Sequence, residues 1–276
     1  MTKSTAGRPE KPSSVGAFVA RGLKGRTRWA WMFASLLSAA VLWEVVARFV
    51  VRSELLLPSL WRVFESALAL FRSGELTTHL AVSGIEFLLG FLLSVVLGIL
   101  VAVILTTTDW LQNFFEPWIN LLNATPMIAL GPLFIIAMGI GIESKVAIIF
   151  LSAVFAIIIN TMIGVKMTDP HLLDVASSYG ASKVQTYIKV RLPSALGYIF
   201  AGLRIGAARA LVGVFVAEFF GARAGVGYLI LQSAQAFDAP GLYVGVLILG
   251  VGGVMVVGII KWVEKIATPW IEETRR

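Results

Sequence analysis

The chain has 276 residues, 58% of them hydrophobic and only 14% charged, with a net charge of +7. So little charge cannot cover the surface of a soluble fold this size, so the composition reads as a membrane protein with several spans. With no cysteine, disulfides, thiol catalysis and cysteine–metal sites are excluded, and the two histidines, His79 and His171, lie too far apart in sequence to suggest a metal centre.

Residues 1–28 are rich in Gly, Pro, Ser and basic side chains, from Lys3 to Arg28, and are expected to form a disordered cytoplasmic tail. They are not read as a cleavable signal, because the apolar segment behind them is as long as a full span. That first span is expected at Trp29–Val51, with Glu44 and Arg48 spaced to pair on one helix face. A semi-polar stretch follows, in which Trp61, Phe64, Leu68 and Phe71 recur at helical spacing, as in an amphipathic helix on the membrane surface. Further spans of ~20 apolar residues are expected at Leu80–Leu105, Trp118–Ile140, Val146–Val165, Ser194–Ala217 and Gly241–Trp262. The third contains Pro126 and Pro132, which predict either two kinks or an opened backbone beside a cavity. The layout is a six-span domain over 29–265, with a loop at 166–193 and a carboxyl tail at 266–276.

The basic residues orient this layout. With both termini inside, fifteen of the 23 Lys and Arg lie on the cytoplasmic side, seven of them before Trp29, and five lie opposite. Clustering before the first span orients a membrane protein; no nucleic-acid groove is expected.

The 166–193 loop is a polar island between apolar segments, longer than a connector requires. Asp169-Pro170 predicts a helix start, and Leu172, Leu173, Ala176 and Tyr179 follow at helical spacing. Gly180 fits a left-handed cap. Ser182 predicts a second short helix carrying Val184, Tyr187 and Ile188, closed by Leu192-Pro193. Two short helices at an angle make a knob suited to a groove on a soluble partner.

The pattern Asp174-Val175-Ala176, Gly180, Val190, Leu192-Pro193 resembles the EAA loop of permease subunits of binding-protein-dependent ABC importers. Asp replaces the usual Glu, and Val replaces Ala and Ile. The resemblance covers roughly Leu55 to Ile260, and segments such as ATPMIALGPLFIIAMGIGIESK and GLRIGAARALVGVFVAEFFGARAGVGYLI look like the nitrate, taurine and alkanesulfonate branch. Glu86 departs from it, since members often carry Arg there. The resemblance implies an all-α, six-span fold of the MetI-like type in a bacterial inner membrane. It implies pairing with a second permease, a homodimer or a paired subunit, two cytoplasmic ATPase subunits and an extracytoplasmic solute-binding protein. Asp174, Ala176, Ser177, Gly180, Ala181, Val190, Leu192 and Pro193 would carry the ATPase contact. No G-x-x-x-x-G-K-[ST] phosphate loop occurs, so ATP and Mg are expected on the partner ATPase, and no catalytic, cofactor or metal residues are assigned here. The expected cargo is a small solute of sulfonate, nitrate or taurine type.

Pathway candidates are Asn123, Thr125, Pro126, Arg204, Arg209 and Glu218. Arg204 and Arg209 interrupt the fifth span, where charge must be paired or face a cavity. Pairing with Glu86 or Glu218, or contact with backbone carbonyls, is one alternative, and a positive field for an anionic cargo is the other. Asn120, Asn123 and Thr125 either line the route or bond between helices. Gly202-xxx-Gly206 and Gly241-xxx-Gly245 predict close helix packing. Gly225-Val-Gly227 completes no nucleotide fingerprint and reads as close helix packing or a turn, His171 as an exposed residue near the loop contact, and His79 as a surface residue at the outer membrane face. A carrier working without an ATPase is the alternative function. An intramembrane enzyme finds no G-x-S-x-G motif and no mid-span histidine.

Overall fold

In the computed structural model, residues 14–269 are described, and within them all regular structure is helical. They fall into two compact units divided after Arg62. In the first unit, α1 (Ser14–Val45) continues through a π-helical turn at Val46–Val51. The expected disordered tail is corrected over its second half: residues 14–28 are helical. This stretch lacks proline, and with the nucleation cost already met in the adjoining span the helix continues through it despite Gly16, Gly22 and Gly25. Residues 1–13 lie outside the described residues. Glu44 accepts from Arg48 Nε at 2.5 Å, as its spacing predicted, and also from the Leu60 amide at 3.1 Å.

Helix α2 (Leu60–Arg72) begins in the first unit and continues into the second, where Val63 is buried and Ala67 and Leu70 pack against Leu76, Leu229 and Val244; Trp61, Phe64, Leu68 and Phe71 are exposed. The remaining elements are α3 (Glu75–Leu105), α4 (Asp109–Ala124), a 3₁₀ turn (Met127–Leu130), α5 (Gly131–Met138), α6 (Ile142–Lys166), α7 (Pro170–Ser178), α8 (Lys183–Thr186), a π turn (Tyr187–Arg191), α9 (Leu192–Gly221), α10 (Val226–Gln235) and α11 (Ala239–Ala267).

Helix α6 is the centre. It packs on α9 and α3, and Ile148, Ile149, Ala153 and Ile157 are almost wholly buried. Close approach is possible because α9 and α3 turn small residues toward it. A Cβ on Gly202 would lie 2.9 Å from Asn160 Cβ, one on Gly206 3.0 Å from Ile157, and one on Gly90 2.6 Å from Ile149. Hydrocarbon supplies no hydrophobic drive between helices, so dispersion at such short range holds them together. The Gly202–Gly206 spacing thus serves packing.

Among the described residues, five helical stretches are long and apolar enough to cross a membrane: Ala30–Val51, Glu75–Leu105, Ile142–Lys166, Lys183–Gly221 and Ala239–Ala267. The third expected span is different. Instead of one kinked helix from Trp118 to Ile140, the chain forms α4, breaks at Thr125-Pro126, makes a 3₁₀ turn and restarts as α5. Thr125 is extended, with φ −70° and ψ 130°, because the Pro126 ring excludes the helical conformation from the residue before it. Pro132 sits at the start of α5, where its missing N–H breaks no helical bond.

Candidate functional site

The 166–193 loop is capped at every turn. Asp169 accepts from the His171 amide at 2.9 Å to open α7. Gly180 closes it with φ +70°, and the Gly180 and Ala181 amides return to Ser177 and Ala176 carbonyls at 2.9 and 3.0 Å. Such paired bonds satisfy the last carbonyls of a helix, and glycine takes the left-handed conformation at no side-chain cost. Ser177 and Ser178 hydroxyls donate to the Asp174 carbonyl. Ser182 and Gln185 form a reciprocal capping box on α8, at 2.9 and 3.3 Å. The backbone is therefore internally satisfied while the apolar side chains are not covered: Leu172, Val175, Val184 and Ile188 are exposed, and Tyr179 is 87% exposed.

One expectation for this loop is corrected. The second short helix does not stop at Pro193. It passes through the π turn, in which the Leu192 amide donates to Tyr187 O five residues back, and runs on as α9. Pro193 falls in the first turn of α9, where its missing N–H is tolerated. Val190, Leu192 and Pro193 consequently form the stem, with Leu192 packed against Val165, Ala195 and Ile199. Asp174, Ala176, Ser177, Gly180 and Ala181 form the tip. Tyr187 ties the two-helix tip to the bundle: its hydroxyl lies 2.6 Å from Thr106 Oγ1 and donates to Val103 O at 3.2 Å.

The second constellation lies beside the broken helix. Leu122, Asn123, Thr125 and Pro126 of the break, Ser152 and Phe155 of α6, and Arg209 of α9 enclose a cleft of about 290 Å³. Arg209 donates to Asn123 Oδ1 at 2.6 Å and is otherwise exposed to the cleft. Arg209 lies twelve residues from the Gly221 end of α9, or ~18 Å at 1.5 Å per residue, so the cleft is at mid-depth of the bundle. Irregular backbone at that depth belongs where it lines a cavity.

Arg204 and Glu218 do not join this cleft. Arg204 pairs with Glu264 of α11, and not with Glu86 or Glu218. Glu218 is completely buried at the end of the bundle away from the 166–193 loop. It accepts from Ser83 Oγ at 2.5 Å and from the Gly227 amide at 2.6 Å. Ser83 also receives the Val226 amide at 2.8 Å, and His79 Nδ1 receives the Gly225 amide at 2.9 Å. These bonds satisfy the first amides of α10, and Gly225, with φ +126°, leaves no room for a Cβ beside the Glu218 carboxylate. Beside them, Lys145 Nζ donates to Glu86 Oε1 at 2.6 Å, both nearly buried. Glu86 thus finds its opposite charge on α6. His79 is corrected from a surface residue to a buried acceptor. Its i+4 relation to Ser83 on α3 was the available signal, but the partner amides lie over 140 residues on.

Comparison with known proteins agrees with this geometry. Residues 94–267 match the family described as binding-protein-dependent transport system inner membrane component. A permease protein of Bacillus subtilis named for aliphatic sulfonate transport is 32% identical, over 93% of this chain and 94% of its own length. A formylaminopyrimidine transport permease protein of Halalkalibacterium halodurans is 33% identical, over 83% of this chain and 91% of its own. The taurine transport system permease protein of Escherichia coli is 28% identical, over 91% and 96%.

Proposed function

The chain belongs to the binding-protein-dependent transport system inner membrane components, and from that premise we propose which surfaces of this ABC importer permease meet its partners and its cargo. Membership makes the chain a transmembrane transport subunit, and such importers work with an ATPase and a binding protein. In our reading the tip of the 166–193 loop, from Asp174 to Ala181, inserts into a groove of a cytoplasmic ATPase, one loop per subunit of a permease homodimer. Both termini then face the cytoplasm, in keeping with the distribution of Lys and Arg.

The observation that carries this reading is the contrast within the loop: a backbone closed by caps under exposed Leu172, Val175, Tyr179 and Val184. A rigid apolar tip loses little conformational freedom on docking, which favours binding. Copurification tests it. Ala176→Arg and Gly180→Pro are expected to lose the ATPase while the permease still inserts in the membrane. Retention of the ATPase by both variants, or uptake without any ATPase or ATP, would overturn the reading.

For cargo, we propose a small anion that passes the Arg209 cleft, with sulfonates as the leading class. Support comes from the uncovered guanidinium at mid-depth and from relatives named for sulfonates and taurine. Uptake of a labelled alkanesulfonate by the assembled importer, compared with a neutral pyrimidine, distinguishes this class from that of the formylaminopyrimidine relative.

A further inference from the structure

We infer that the polar face of α4 lines the half of the transport route between the Arg209 cleft and the end of the bundle at the 166–193 loop. The inference rests on the permease reading. At ~100° per residue, Asp109, Gln112, Asn113, Glu116, Asn120 and Asn123 all fall within an arc of about 100° on α4. The opposite face carries Trp110, Phe114, Trp118 and Leu121, each more than half exposed.

The position of α4 makes this amphipathicity meaningful. Ile119 is buried in a cluster with Ala102 and Leu105 of α3 and Val154, Phe155 and Ile158 of α6, so the helix stands along α6 within the bundle. From Asn123 to Asp109, and from Ser152 to Lys166, the two helices each run fourteen residues, ~21 Å. They descend side by side. At the upper end is the Arg209 cleft. Lower on the same seam lies a second cavity of about 240 Å³, lined by Gln112, Glu116, Ile119 and Asn120 of α4 and by Met162, Ile163 and Lys166 of α6.

A strip of four amides and two carboxylates along this helix cannot face lipid without heavy cost. The opposite face meets that requirement with aromatic and aliphatic side chains. Water therefore stands on the polar side, and the two cavities mark where it widens. The chemistry suits passage rather than capture. Asn123 and Asn120 offer neutral donors about one turn apart, Gln112 offers another about two turns further down, and Gln112 holds Glu116 at 3.3 Å, opposite Lys166. Weak contacts repeated along a path let a solute enter and leave.

The chain contains no cysteine, so single substitutions report cleanly. The experiment uses the importer assembled with its ATPase and binding protein in inside-out vesicles, labelled with a membrane-impermeant methanethiosulfonate. At rest, Glu116→Cys, Asn120→Cys and Asn123→Cys should react at least about tenfold faster than Phe114→Cys, Trp118→Cys and Leu121→Cys, because an apolar setting suppresses the reactive thiolate. Trapping the ATPases closed with ATP and vanadate should slow the first group toward the second. Equal rates on both faces would overturn the inference. So would rates on the polar face that ignore nucleotide, the result expected of a helix lying on the membrane surface. A second measurement is Asn120→Trp, expected to abolish uptake while ATPase copurification persists; normal uptake would overturn the inference. Loss of ATP-dependent uptake in the unsubstituted importer would instead strike the permease reading itself.

Discussion

Two regions of the second unit hold charge inside the bundle and treat it in opposite ways. At the end away from the 166–193 loop, Lys145 meets Glu86, Glu218 receives a hydroxyl and an amide, and Ser83 and His79 take the amides that open α10. The space is filled. At mid-depth, Arg209 has one neutral partner, Asn123, and open volume in front of it. The difference teaches that charge at membrane depth is not by itself a functional sign. Where protein groups close around it, charge specifies packing; where volume is left beside it, something else supplies the remaining contacts.

Substitutions can break or sharpen this contrast. The largest effect is expected from Glu86→Ala, which strands a nearly buried Lys145; breaking such a pair costs about 3–5 kcal/mol, and thermal unfolding of the purified permease should drop or folded protein be lost. Ser83→Ala is next. It leaves the Val226 amide and one Glu218 oxygen unserved, for about 1–3 kcal/mol, read by the same unfolding assay. Arg209→Gln should leave unfolding within ~0.5 kcal/mol, as expected for exposed positions. Its effect should fall on uptake, by about tenfold or more, the value of a charge-assisted bond to cargo. Normal uptake by a well-folded Arg209→Gln would remove the cleft from the route. The smallest effect is expected from joint replacement, Glu86→Met with Lys145→Met: apolar side chains of similar volume are often neutral or stabilising in place of a buried pair, and uptake should persist. Loss of uptake in that stable double variant would erase the distinction between the two regions.

Much of the 166–193 loop was legible because its rules are local. Asp169, Gly180 and Ser182 act on amides and carbonyls two to five residues away, so residue type and spacing suffice. The stop expected at Pro193 failed because a π turn, favoured by packing of Leu192 against Val165 and Ile199, offers proline a way through that propensity does not describe. The third span was misplaced for a related reason. Residues 106–117 fell between the second and third expected spans, whereas α4 begins at Asp109, keeps Asp109 and Glu116 on one face and stands against α6. The pairing of Arg204 with Glu264 escaped notice because the two lie sixty residues apart on helices that only the bundle brings together.

By itself, the sequence determined the membrane setting, the helical class, the capped loop and its family pattern. Each depends on composition or on contacts within a few residues, where backbone geometry leaves few choices. Only the tertiary structure decided which charges are closed and which stand open. It set Arg204 on Glu264 and Glu218 on α10, and left Arg209 facing a cleft beside the break between α4 and α5. That assignment depends on which helix faces pack together, and on how much space glycine-lined contacts around α6 leave beside each buried charge.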